Sequence, residues 1–193
     1  SPLLTDIGKY EAKSTVLKPN FSALIINEFT KAGLSKGDTV AISMTGSMPG
    51  ANIAVLMACE SMGLNYVSIS SLGASSWGAT DMNLSWPKME KILHDKELIK
   101  HVSNKFTYGG AADYLKKGTR YRKIYGGDKK RESLDSLMLS LYPNKSLDEL
   151  FILHGLSDKE VLNDSLGGIL KTSINQRIDL YKNNCSDNTL SCY

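Results

Sequence analysis

The chain has 193 residues, 41% hydrophobic and 22% charged: enough apolar material for one buried core, and a charge content near the globular average that excludes a disordered chain. The net charge of +3 is too mild to argue for nucleic acid, and no run of about 18 apolar residues offers a membrane-spanning helix. Three cysteines with no histidine or acid cluster beside them argue against a metal site, and no cofactor is expected.

Residues 1–18 are polar and without periodicity and read as irregular. From Pro19 onward, Phe21, Leu24, Ile25, Phe29 and Ala32 recur at helical spacing, and Gly33 stops the run. After a short turn through Gly37, residues 39–44 (TVAISM) form a compact β-prone run, which predicts a buried strand. Residues 45–50 (TGSMPG) are a turn-rich loop. Residues 51–62 are apolar almost all round, as suits a helix packed on a sheet, and Gly63 caps it. Residues 65–70 (NYVSIS) predict a second strand, and 71–85 a long loop of small residues. A helix is then expected over 86–99, with Ser85 as N-cap, Pro87 near its start, and Met89, Ile92 and Leu93 inward. Two strands joined by a crossover helix are parallel. The expected class is therefore α/β: an open, mainly parallel, Rossmann-like sheet with covering helices and a helical C-terminal part.

The second half differs. Residues 101–131 are basic and glycine-punctuated and read as a loop region, with one possible strand at Arg120 to Tyr125. Helices are expected at 132–141, 146–153 and 157–181, the last broken at Gly167–Gly168. Residues 183–193 are a polar tail. The whole reads as a single domain, 1–193, with its α/β core in 1–100. Lys116, Lys117, Arg120, Arg122, Lys123, Lys129, Lys130 and Arg131 stand against one acid, Asp128. That run is either a solvated face or a contact surface for a polyanion. Cys59 falls on the apolar helix and reads as a core thiol. Cys185 and Cys192 are spaced to close a small disulfide loop in an oxidising compartment.

In open α/β sheets, ligands bind beyond the carboxyl ends of the strands. Those ends are TGSMPG and SLGASSWGATD, which parallel strands would set side by side. The first loop feeds a helix N-terminus, where free N–H groups and the helix dipole favour an anion. Thr45, Gly46, Ser47 and Asn52 from the first loop, with Ser70, Ser71, Ser75, Trp77 and Asp81 from the second, are the candidate ligand-binding residues, and their shared mouth is the expected concave site. The same residues also read as ordinary turn formers. Trp86 reads as a staple of the following helix to the core. Neither a P-loop nor a nucleophile elbow fits, because the P-loop lysine is missing and Gly46 directly precedes Ser47. His94, His101 and His154 have no telling neighbours, so no catalytic triad is assigned.

The pieces GSMPGANIAVLMA and SSLGASSWGATD, with the opening SPLLTDIGKYEAKSTVLKPNFSALI, resemble the poly-gamma-glutamate system proteins over about residues 1–100. These are bacterial proteins encoded with the machinery that makes and exports poly-gamma-glutamate. The family pattern continues with a Gly-Gly pair, an acidic run and an arginine. Gly127, Asp128 and Arg131 fit it, whereas Lys129 and Lys130 stand where acids belong. The resemblance implies an accessory protein of capsule biosynthesis or export, extracytoplasmic and membrane-associated through an N-terminal anchor before Ser1. Its implied partners are the polymer, a glutamate-containing fragment, or membrane synthesis and export subunits. The alternative is an enzyme, either an amide hydrolase of the polymer or a phosphosugar isomerase of the SIS type, to which the ISMTGSMPG loop is similar at the level of fold.

Overall fold

The computed structural model describes residues 1–110, 127–152, 154 and 166–184. In chain order, the first elements are a short strand β1 (Leu4–Asp6), helices α1 (Tyr10–Thr15) and α2 (Asn20–Lys31), strand β2 (Thr39–Thr45), helix α3 (Pro49–Met62) and strand β3 (Asn65–Ser71). A two-residue strand β4 (Ala74–Ser75), a 3-10 turn (Met82–Leu84), helix α4 (Trp86–Asp95) and strand β5 (Lys105–Thr107) follow. Helices α5 (Gly127–Leu141), α6 (Leu147–Leu150) and α7 (Leu166–Asn184) complete the described part.

The crossover unit takes the expected form. β2 and β3 pair in parallel from Thr39 opposite Asn65 to Thr45 opposite Ser71, and β5 adds on the far side of β3, giving the order β2-β3-β5. Val40, Ile42 and Met44 are buried, while the alternate Ala41, Ser43 and Thr45 are more open, so one face of β2 carries the core. β3 is buried from Tyr66 to Ser71, as the central strand of a sheet covered on both faces must be. α3 packs Leu56 and Cys59 against that core and stops at Gly63, whose φ of +66° suits a residue without Cβ. Burial pushes the Cys59 thiol up to about 12, which leaves it an inert packing group. On the other face, Tyr181 and Arg177 of α7 reach Ser43, and the Tyr181 hydroxyl donates to the Ile42 carbonyl at 2.9 Å. A second apolar cluster joins Leu3, Leu72, Phe106, Tyr108, Leu134, Met138 and Phe151 and ties α5 to the β5 side.

Several expectations are corrected. Residues 1–18 are not irregular: β1 pairs in parallel with β4, and α1 buries Lys13 to 7% exposure. The helix expected over 86–99 ends at Asp95, and Ile92 is 38% exposed while Glu90 takes the inward place. Residues 105–107, expected as loop, form β5, and α5 begins at Gly127, inside the expected loop region. The helix expected at 146–153 shrinks to one turn because Phe151 turns extended and bridges to Phe106. The possible strand at 120–125, the Cys185–Cys192 pair and residues 157–165 of the last helix lie outside the described residues. Among the described residues, no helix is long and apolar enough to cross a membrane.

Candidate functional site

Because β2, β3 and β5 are parallel, their carboxyl ends share one edge of the sheet. Backbone hydrogen bonds lace the loops that leave them. The Gly46 amide donates to the Ser71 carbonyl, the Ala79 amide to the Gly46 carbonyl, and the Leu72 and Gly73 amides to the carbonyls of Thr107 and Tyr108. The approach between the first two loops is close enough that a Cβ on Gly78 would lie 2.6 Å from the Gly46 carbonyl oxygen and 2.8 Å from that of Ser47. Only glycine permits that contact. Ser47 Oγ accepts from the Ser75 amide at 2.9 Å, and Ser47 N donates to Thr45 Oγ1 at 3.2 Å.

One side chain outside these loops joins them. Lys13 Nζ donates to the Ser47 carbonyl, to Ser75 Oγ at 2.8 Å and to the Ser75 carbonyl at 3.4 Å. An ammonium has three donors, so all are engaged, each on a neutral acceptor. Burial lowers the lysine's pKa from its ordinary value. The Gly8 amide adds a bond to Ser76 Oγ at 2.8 Å, so the N-terminal segment and the second loop are tied twice.

Thr45, Gly46, Ser47, Ser71 and Ser75 are thus brought together at the sheet edge. Asn52 is buried nearby, its Nδ2 donating to the Thr45 carbonyl at 2.8 Å, and so holds the first turn of α3 to the end of β2. Arg131, in the first turns of α5, lies with its guanidinium 4.6 Å from the ring centre of Tyr108, the residue that follows β5. The Tyr108 hydroxyl donates to Asp135 Oδ1 at 2.7 Å, and burial together with that bond raises its pKa. Gly127 and Asp128 open α5. Trp77 is 66% exposed with φ +67°, its ring edge-on to Tyr10 at 5.5 Å between centroids. Asp81 caps the 3-10 turn by accepting from the Asn83 amide. Of the basic segment, Lys129, Lys130 and Arg131 are described; Lys129 is exposed and Lys130 Nζ donates to the Leu4 carbonyl.

Ser70 belongs to a different cluster. It is fully buried, accepts from Trp86 Nε1 at 2.9 Å and meets Ser103 Oγ at 2.7 Å. Ser103 Oγ donates to Glu90 Oε1 at 2.7 Å, and Ser68 Oγ joins at 3.2 Å. Burial raises the Glu90 carboxyl to about 7, against the opposing effect of the Ser103 bonds. Neither Lys13 nor Glu90 was singled out from sequence. The available signal for Glu90 is that it stands four residues after Trp86 and so shares its helix face. A cleft of about 530 Å³, lined by Glu60, His94, Asp95, Glu97, Ile99 and Lys100, lies at the other end of β3, where Lys100 Nζ holds the Leu64 carbonyl. Among the described residues, no group of three or more His, Cys, Asp or Glu side chains is arranged to hold a metal ion.

Compared with known proteins, the chain matches no family model, no curated protein and no solved structure.

Proposed function

We propose that this chain is a binding protein that serves poly-gamma-glutamate synthesis or export at the outer face of the cytoplasmic membrane, and that it takes carboxylates of the polymer or of a glutamate-containing fragment at the carboxyl edge of the sheet. The observation that carries this reading is the composition of the edge. The N-terminus of α3, the hydroxyls of Ser47 and Ser75, and the cations Lys13 and Arg131 border the same strand ends, Lys13 adding positive potential while its donors stay on Ser47 and Ser75. A helix N-terminus and lysine or arginine side chains both favour an anion.

Binding is favoured over catalysis by what surrounds the serines. Ser47 Oγ accepts from a backbone amide, and the group at Ser75 Oγ is the Lys13 ammonium, which acts as a base only once it has given up its proton. Among the described residues, no histidine bonds a serine of these loops: His94 lies beside Asp95, His101 against Tyr66, and His154 beside Asp148.

The test is a titration with poly-gamma-glutamate at two salt concentrations. It compares the wild type, Ser47→Ala, and a variant with Lys116, Lys117, Lys129 and Lys130 changed to Ser. Exposed charges act over a Debye length of about 8–10 Å near physiological salt. Wild-type affinity should therefore fall as salt rises, both variants should bind more weakly, and the lysine variant should lose most of the salt dependence. Equal binding by all three proteins, or no binding by the wild type at low salt, would remove the proposal.

A further inference from the structure

The seam between α4 and the sheet carries an inference independent of the binding proposal. Glu90 is fully buried, and its Oε2 has no hydrogen-bond partner. Two further hydroxyls are buried and unpartnered: Ser85 Oγ at the start of the same helix and Tyr142 OH just beyond α5. Counting protons orients the rest. With Ser103 spending its single proton on Glu90 Oε1, it accepts from Ser68 and Ser70. Ser70 in turn accepts from the Trp86 indole. A directed line of donors therefore runs from Trp86 through Ser70 and Ser103 and ends on one carboxyl oxygen.

The two protonation states of that carboxyl are unequal. Neutral, it accepts from Ser103 and leaves one O–H without a partner. Ionised, it is a buried charge with only Ser103 donating to it, through its hydroxyl and its backbone amide. An unpartnered hydroxyl costs less than an uncompensated buried charge. The groups that face it do not supply the missing charge. β3 offers Ser68 and Ser70, the segment before β5 offers Ser103, and α4 itself offers Trp86 and Ser85, with Asp95 further along. The end of α5 offers Tyr142, whose own pKa is raised by burial and then by Glu90 and Asp95. No lysine, arginine or histidine among the described residues is bonded to the carboxyl.

We propose that Glu90 is a proton-operated latch: the protonated carboxyl seats α4 on β3 and the segment before β5, and its ionisation, which leaves a buried charge without a counter-ion, loosens α4. The release would be felt at Ser71 and the second strand-end loop, because Ser70 precedes Ser71 on β3 and Trp86 follows that loop.

The protein has only two tryptophans, so Trp77→Phe leaves Trp86 as the sole indole reporter. Its emission is followed from about pH 5 to 9, a window that lies above ordinary carboxylate titration and includes that of histidine. The expected result is a red shift with a midpoint near neutral pH, absent from Trp77→Phe/Glu90→Gln. The same titration in both proteins, or none in the first, would overturn the latch. Two measurements stand if Glu90→Gln fails to fold. In Trp77→Phe, the infrared band of a protonated carboxyl should disappear over the same pH range. In Trp77→Phe/Ser103→Ala, which removes the hydroxyl donor to the carboxylate, the emission midpoint should move to higher pH. A midpoint unmoved by Ser103→Ala, or a carboxyl band already absent at the acid end of the range, would overturn it equally.

Discussion

Ser70 and Ser71 are neighbours on β3, yet each opens onto a different polar cluster. Ser71 ends the strand at the carboxyl edge, where loops, Lys13 and the start of α3 meet. Ser70 turns into the seam beneath α4, with Trp86, Ser103 and Glu90. At the edge, the buried cation Lys13 has an acceptor for every donor. In the seam, the buried acid Glu90 keeps one oxygen with no partner. The difference shows that burial alone does not decide what a charged side chain does. A satisfied ammonium behaves as a staple, whereas an unsatisfied carboxyl becomes a group whose protonation matters.

The largest effect expected from breaking the comparison is on the seam side. Trp86→Ala empties the place of a fully buried indole and removes the donor to Ser70. Large-to-small changes of this kind cost about 3–5 kcal/mol. Urea unfolding should show a loss of that size, and a loss below about 1 kcal/mol would mean that Trp86 is not seated as described.

Next is the pH dependence. Folded, Glu90 titrates near 7, above its ordinary 4.5. Between these values the folded state holds the extra proton. Stability should therefore fall as pH rises from about 4.5, and the loss should be complete above about 7, on the order of 3 kcal/mol. Denaturant midpoints at acid and alkaline pH should differ by correspondingly more in the wild type than in Glu90→Gln. An identical pH dependence in the two proteins would assign the effect to other groups.

On the edge side, Lys13→Met keeps much of the side-chain volume but removes the bonds to Ser47 and Ser75. Leaving those acceptors unpaired costs about 1–3 kcal/mol. The change should also raise amide exchange in residues 46–48 and 75–78. Unchanged exchange there would show that Lys13 is not the staple.

The smallest effect is expected at Trp77. A non-glycine residue at positive φ costs about 1–2 kcal/mol, and the edge-on contact with Tyr10 returns about 0.5–1.5 kcal/mol. Trp77→Gly relieves the first and loses the second, so the thermal midpoint should move by only a few degrees. A large drop would reveal a packing role that the exposure of Trp77 does not suggest.

The parts legible in sequence were those with strong local signals. Two apolar runs, an all-apolar helix between them and Gly63 gave the parallel β2–α3–β3 unit to within a residue of its strand ends. The rule that ligands gather at strand ends located the cluster of Thr45, Gly46, Ser47, Ser71 and Ser75. What was not legible depends on partners distant in sequence. β5 has three residues, too few to show a period, and is defined by pairing with β3. Lys13 lies in a polar stretch and is buried because loops 34 and 62 residues away close on it. Glu90 reads as a surface residue of an amphipathic helix until Ser103, 13 residues later, folds under it. Its spacing from Trp86 was a usable signal, as was the alternation of Ser68 and Ser70 on a buried strand.

Amide hydrogen exchange with and without a glutamate oligomer shows whether ligand is taken at the sheet edge. Binding at that edge should add protection in residues 45–50 and 71–78, with little change in the seam around Ser103. Protection confined to the cleft at Glu60 and Lys100, or no added protection at a ligand concentration that saturates binding, would contradict it.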